Sequence, residues 1–116
     1  EEVNTQFQGN CISMGFIFIG TEPKIQQEGA TPYLRALQWK KGKGVERVYI
    51  AARDWAIDIA ERTAFLAKKR NLAKILKSTQ YYATDPSGQR RKHIIIEMQL
   101  VVSPFAPPEQ GILLED

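Results

Sequence analysis

The sequence predicts an all-β domain with one helix: a five-stranded barrel in the OB-fold arrangement. Three observations predict it. Apolar, β-branched and aromatic runs recur as five strand-like segments. One segment, Asp54–Lys69, carries helical spacing and helix-end signals. The resulting order, β-β-β-α-β-β, sets that helix between the third and fourth strands, where it plugs one end of a closed sheet. Closure removes most exposed edges. A split α+β sandwich is the alternative arrangement of the same elements.

Each element has its own reason. Residues 1–9 are polar and expected to fray. Cys11, Ile12, Met14, Phe16, Ile17, Phe18 and Ile19 make an apolar first strand, interrupted by Gly15 and stopped by Gly20. Thr21–Thr31, with Pro23 and Gly29, reads as a loop. Tyr33–Trp39 alternates: Tyr33, Arg35, Leu37 and Trp39 on one face, Leu34, Ala36 and Gln38 on the other. A basic loop, Lys40–Gly44, leads to a third strand over about Val45–Ala52. In the helix, Asp54 is the expected N-cap. Ile59, Thr63 and Leu66, with Ala56, Ala60 and Ala67 beside them, form its apolar stripe, and Lys68, Lys69 and Arg70 suit its negative end. Leu72–Tyr82 is a fourth strand. Asp85-Pro86-Ser87-Gly88 has turn chemistry and folds the chain into a fifth, Arg91–Val102. Ser103–Asp116, with Pro104, Pro107 and Pro108, is expected to be an irregular tail.

The chain has 116 residues, 43% hydrophobic and 25% charged, which fits one globular domain spanning 1–116 with its core at about 10–102. No stretch reaches 18 apolar residues, so no transmembrane helix and no membrane partner are expected. The chain starts at Glu1 with no visible signal or transit peptide, and reads as an excised domain or processed product. One cysteine (Cys11) and one histidine (His93) exclude an internal disulfide and a Cys/His zinc site built by this chain alone. Gly42-Lys43-Gly44 lacks the spacing of a phosphate-cradling loop. No metal, no cofactor and no catalytic constellation are expected. A small nuclease is disfavoured, with one histidine and no acidic metal cluster. Asp54, Asp58 and Glu61 read as a solvated helix face.

Net charge is +3, and eleven of the sixteen lysines and arginines are clustered. They are Lys40, Lys41 and Lys43; Lys68, Lys69 and Arg70; Lys74 and Lys77; and Arg90, Arg91 and Lys92. Phosphates are tracked by such rows, and counterion release makes the binding salt-dependent. Aromatic rings interleave with the charges, and an exposed ring stacks a base whatever its identity. Trp39, beside Lys40-Lys41, is the first stacking candidate and Tyr82 the second. Tyr81 is expected on the opposite face from Tyr82. Trp55, Tyr33 and Tyr49 are read as core or rim, Cys11 as a small buried hydrophobe, and His93 as a surface or phosphate-contacting residue. With Arg47, the candidate nucleic-acid contacts are therefore Trp39, Lys40, Lys41, Lys43, Arg47, Lys74, Lys77, Tyr82, Arg90, Arg91 and Lys92. The apolar first strand (Met14, Phe16, Phe18) and the tail (Ile112, Leu113, Leu114) are the expected protein-interface residues.

From Lys68 onward the chain resembles the single-stranded DNA-binding proteins of bacteria and organelles. Lys68-Lys69 match that family's helix end, Gln80-Tyr81-Tyr82 its tyrosine, Asp85 and Gly88 its hairpin turn; upstream, Asn10…Gly15 and Glu22-Pro23 match its first strand and Asp-Pro. Arg70 stands where the family has Gly, and the glycine-rich linker and acidic tip are missing. More narrowly, Cys11-Ile12-Ser13-Met14-Gly15, Lys92-His93 and Pro107-Pro108…Gly111 resemble the OB folds of the kinetoplastid editosome's interaction proteins. That resemblance implies a mitochondrial, non-catalytic module that binds single-stranded nucleic acid, RNA favoured, and pairs with other OB-fold subunits in an RNA-editing complex. The alternative is an organellar single-stranded DNA-binding protein of replication or repair. An interaction module with RNA contact secondary is a further possibility left open by the residues.

Overall fold

The computed structural model describes residues 15–101. It is not a barrel. Among the described residues, four strands form one open mixed sheet and three helices cover one of its faces. The elements are β1 (Phe16–Phe18), α1 (Pro23–Glu28), α2 (Thr31–Gly42), β2 (Arg47–Arg53), α3 (Ala56–Lys69), β3 (Ala73–Thr84) and β4 (Arg90–Leu100). The strand order is β1-β2-β4-β3. β1 pairs parallel to β2, while β4 pairs antiparallel to both β2 and β3. A parallel pair needs a crossover, which α1 and α2 supply. α3 then carries the chain over β4's place to β3, and the hairpin returns β4 into the gap.

The main correction concerns Tyr33–Trp39, which is helix and not strand. The alternation there is coincidental. Ala30, Leu34 and Leu37, at helical spacing, are the residues that bury, at 6%, 5% and 0% exposure. Pro32 sits in the first turn of α2, where its missing N–H costs nothing. From Leu34 to Lys41 the chain has no β-branched residue and is rich in good helix formers. The expected loop Thr21–Thr31 also holds a short helix, α1, likewise opened by a proline. Two of the residues' neighbouring elements thus change class, and a barrel can no longer close.

The later elements lie near their expected bounds, whereas of the expected first strand the described residues show strand only over Phe16–Phe18. In α3, Ala56, Ala60, Thr63, Ala64 and Ala67 are buried at 2% exposure or less. Small residues let the helix sit close to the sheet, and the Thr63 hydroxyl donates to the Ile59 carbonyl at 2.7 Å. Asp54 is not the side-chain cap: no side-chain hydrogen bond caps α3, and the capping position is Trp55. On the sheet, Ile17, Val48, Ile50, Ala52, Ile94, Ile96, Met98 and Leu100 bury against the helices in one core. Strand alternation sends their neighbours to the other, open face. The hairpin turn is held by Asp85, whose carboxylate accepts from the Ser87 N–H at 2.9 Å, the Ser87 hydroxyl at 2.7 Å and the Gln89 N–H at 2.9 Å. Gly88, with φ 89°, supplies the left-handed position of the turn. Cys11, Met14, Ile112, Leu113, Leu114 and the expected tail lie outside the described residues.

Candidate nucleic-acid interface

Register places the open-face side chains in rows across the sheet. The first row is Phe16, Tyr49, Glu97 and Lys77; the second is Phe18, Ala51, Ile95 and Thr79. The third is Arg53, His93 and Tyr81, and the fourth Arg91 and Ala83. Below the first row stand Arg47, Gln99 and Lys74. Chemistry follows the rows. Phe16 meets Phe18 and Tyr49 edge to face, with ring centroids 5.3 and 5.2 Å apart. Tyr81 stacks flat on His93, 5.0 Å between centroids and 9° between planes.

The cations of this face differ in how they are held. Arg47 pairs with Glu97 at 2.6 Å. Arg91 reaches Asp85 at 2.9 Å and Asp54 at 3.1 Å, and Arg53 lies 3.7 Å from Asp54. Hydrogen bonds from the Ser87 hydroxyl and then from Arg91 hold the Asp85 carboxyl well below the usual carboxylate range. The same contact with Asp85 raises the Arg91 guanidinium pKa. Lys74 and Lys77 carry no ion pair among the described residues, so their charges face solvent.

Beyond Ile94 the β3–β4 hairpin runs past the helices as a two-stranded arm, and its helix-side face becomes solvent. Tyr82 is 56% exposed there, with the Arg90 guanidinium 4.8 Å from its ring centroid. Lys92 is directly opposite Tyr82 in register. The arm therefore presents cations on both faces: Arg91 on one, Arg90 and Lys92 on the other.

The structure divides the residues that the sequence singles out. Arg47, Lys74, Lys77 and Arg91 gather on the open face, and Tyr82, Arg90 and Lys92 on the back of the arm. Trp39, Lys40, Lys41 and Lys43 do not join them. They end α2, beside the Arg47 end of β2, which is paired with Gln99. From Gln99 to Arg90 is about 30 Å of strand. Trp39 is 60% exposed, but the Lys43 ammonium lies 5.2 Å from its ring centroid. Lys40 is buried at 7% exposure, and that burial lowers its pKa. Phe16 and Phe18, read as protein-interface residues, face the open side of the sheet. Tyr49, read as core, stands beside them. Tyr49, Ala51, Arg53 and Ile95 are the members of this surface that sequence reasoning misses, while His93, read as a surface residue, does lie on it. Period-2 alternation in β2 and β4 shows which of them share a face; only register shows what lies across from them. Among the described residues no cluster of three or more His, Cys, Asp or Glu could hold a metal ion, and no helix is long and apolar enough to cross a membrane.

No family model and no curated protein matches the sequence. Among solved structures, the chain is similar to ALBA1 from Trypanosoma brucei, at 17% identity and a TM-score of 0.62, over 76% of this chain and 70% of that one. It is also similar to Alba from Thermoplasma volcanium, at 19% identity and a TM-score of 0.57, over 73% of this chain and 99% of that one. At these identities the likeness is one of fold: an Alba-type α/β sandwich of sheet and helices. It overturns the resemblance to OB-fold single-stranded DNA-binding and editosome proteins. Lys68-Lys69, Tyr81-Tyr82 and the Asp85–Gly88 turn do follow one another as helix end, strand and hairpin, but in an open mixed sheet. Pairing with other OB-fold subunits loses its basis with the barrel.

Proposed function

We propose that this protein binds nucleic acid without catalysing a reaction on it, and that the β3–β4 arm is its grip on the phosphates. The observation that carries the reading is the distribution of cations along the arm and its root. Lys74, Lys77, Arg90, Arg91 and Lys92 occupy two paired strands, and the distal half stands clear of the helices. Paired strands form a ribbon thin enough to lie along a phosphate backbone, with guanidinium forks and ammonium groups on both sides. The likeness in fold to ALBA1 and Alba supports the same reading. Electrophoretic mobility shift with labelled RNA and DNA oligonucleotides at low salt tests it. The chain should retard them, and a variant with Arg90, Lys92 and Lys77 all changed to Ala should bind at least about tenfold more weakly. Equal binding by that variant refutes the arm as the grip.

A second copy of the chain is the protein partner we assign. Phe65 on α3 is 58% exposed, and Ile75 and Leu76 on β3 are 41% and 42% exposed. The bulge between Ile75 and Lys77 turns Leu76 out of the ladder. Lys74 and Lys77 on the same edge strand disfavour strand-to-strand addition. Contact between copies is therefore by side chains of this patch, and Leu76→Lys should shift sedimentation from dimer to monomer.

A further inference from the structure

The open face between β1 and the arm is built to hold bases. We infer that it is a stacking site for single-stranded nucleic acid; the inference rests on the nucleic-acid reading above and adds to it the kind of strand bound. Two aromatic groups stand on either side of a low, apolar floor. On one side, Phe18 is 62% exposed, braced edge to face by Phe16. On the other, His93 borders the floor, backed flat by Tyr81, which is 41% exposed on the edge strand. Between them, Ala51 and Ile95 lie opposite each other in register and form the floor. Phe18 and His93 stand on strands two spacings apart, roughly 10 Å. That span takes a base against each ring with the linking backbone between them.

The occupant follows from the surroundings. Arg53 and Arg91 border the floor above, and Lys77 and Lys74 border it below, so a strand crossing it has cations along both sides. A second copy of the chain would bring those cations against their own kind. A duplex keeps its bases stacked within itself and offers this floor no ring face, whereas a single strand can splay its bases onto side-chain rings. Trp39 and Tyr82, the stronger candidates by sequence, serve this role less well. Each already has a cation over its ring, and neither shares the face.

The test is fluorescence anisotropy with a labelled 12-nucleotide oligo-U, oligo-dT and a duplex of the same length, at one fixed salt concentration. Both single strands should bind more tightly than the duplex. Tyr81→Ala and Phe18→Leu should each weaken single-strand binding by about fivefold or more, with duplex binding unchanged. Tyr81→Phe and Phe18→Tyr, which keep the rings, should stay within about twofold. Circular dichroism checks that each variant folds. In the unmodified chain, the His93 and Tyr81 ring protons should shift upfield on adding oligo-U. If duplex and single strand bind alike and the ring variants change nothing while Lys77→Ala weakens both, the stacking site is refuted and the arm's grip on phosphates stands. If the chain retains none of the three, both readings fall.

Discussion

Arg91 donates to Asp54 at 3.1 Å, tying the root of the hairpin arm to the junction of β2 and α3. The two residues are 37 apart in sequence and share this contact because β4 returns between β2 and β3. A backbone bond runs beside it, from the Asp54 N–H to the Lys92 carbonyl at 2.9 Å. Asp54 holds this place in a left-handed conformation, with φ 52°, which Asp and Asn tolerate better than other side chains. The direction of the arm is thus set by a residue chosen for backbone as well as charge.

Two substitutions separate those contributions. Asp54→Asn keeps the tolerance for positive φ and removes the charge. Its side chain and that of Arg91 are 28% and 32% exposed, so losing the pair should cost no more than about 1 kcal/mol. Asp54→Ala adds the left-handed penalty, about 1–2 kcal/mol more. Urea denaturation of both variants checks the order. An Asn variant as unstable as the Ala variant would show that the charge, not the backbone, dominates.

Leu37 and Trp39 test the correction of α2 directly. In a strand they would share a face and a fate. In the helix Leu37 is fully buried and Trp39 is 60% exposed. Leu37→Ala should cost about 2–5 kcal/mol through lost burial and a residual cavity. Trp39→Ala should cost less than about 1 kcal/mol and leave oligonucleotide affinity within twofold, since Lys43 already lies over the ring and the distal cations of the arm are about 30 Å of strand away from that end of β4. Chemical denaturation and anisotropy measure the two effects. A large loss of affinity in Trp39→Ala would return the α2 end to the interface.

These residues also show what the sequence makes legible. α3 is readable because Ala56, Ala60, Thr63 and Ala67 keep one period over fourteen residues and a basic last turn closes it. The β3–β4 hairpin is readable because Asp85-Pro86-Ser87-Gly88 can hardly do anything but turn. Tyr33–Trp39 misleads because a stretch of seven residues satisfies period 2 and period 3.6 together; Leu34 and Leu37 decide it only through what they pack against. The parallel pairing of β1 with β2 leaves no local mark, being made across two helices. Hence the cations were identifiable by composition, but the row joining Phe18, Ala51 and Ile95 depends on register and is invisible in the linear chain.

Asp85 predicts how the arm's tip responds to acid. Its carboxyl is held below the usual range by Ser87 and Arg91, so the folded turn favours the charged form. A depressed folded pKa adds stability that is fully present above the unfolded value, about 3.9, and lost as pH falls through the folded value. The tip should therefore stay ordered from pH 7 down to about 4 and loosen only below it. The amide shifts of Ser87 and Gln89 report this by NMR. A transition centred at or above the ordinary carboxylate value would contradict it, and Asp85→Asn should abolish the pH response.

Salt dependence reads the number of phosphates the arm neutralises. The logarithm of affinity falls linearly with the logarithm of salt, by ~0.7 per phosphate contact on a single strand and ~0.9 on a duplex. Lys77 and Lys92 lie on different faces of the arm and carry no ion pair among the described residues. Each is therefore free to release a counterion on binding, and Lys77→Ala or Lys92→Ala should lower the slope by ~0.7 on a single strand and ~0.9 on a duplex while weakening all sequences alike. Arg47 is different. Its guanidinium already sits 2.6 Å from Glu97, so a phosphate must compete with that carboxylate. Arg47→Ala should change the slope by less than either lysine variant, and Glu97→Gln, which frees the guanidinium, should steepen it. Anisotropy titrations from 50 to 300 mM salt, on the order of a tenfold range of affinity per contact pair, give the slopes of the four variants and of the unmodified chain. Equal slopes for Lys77→Ala and the unmodified chain would remove the root of the arm from the phosphate path.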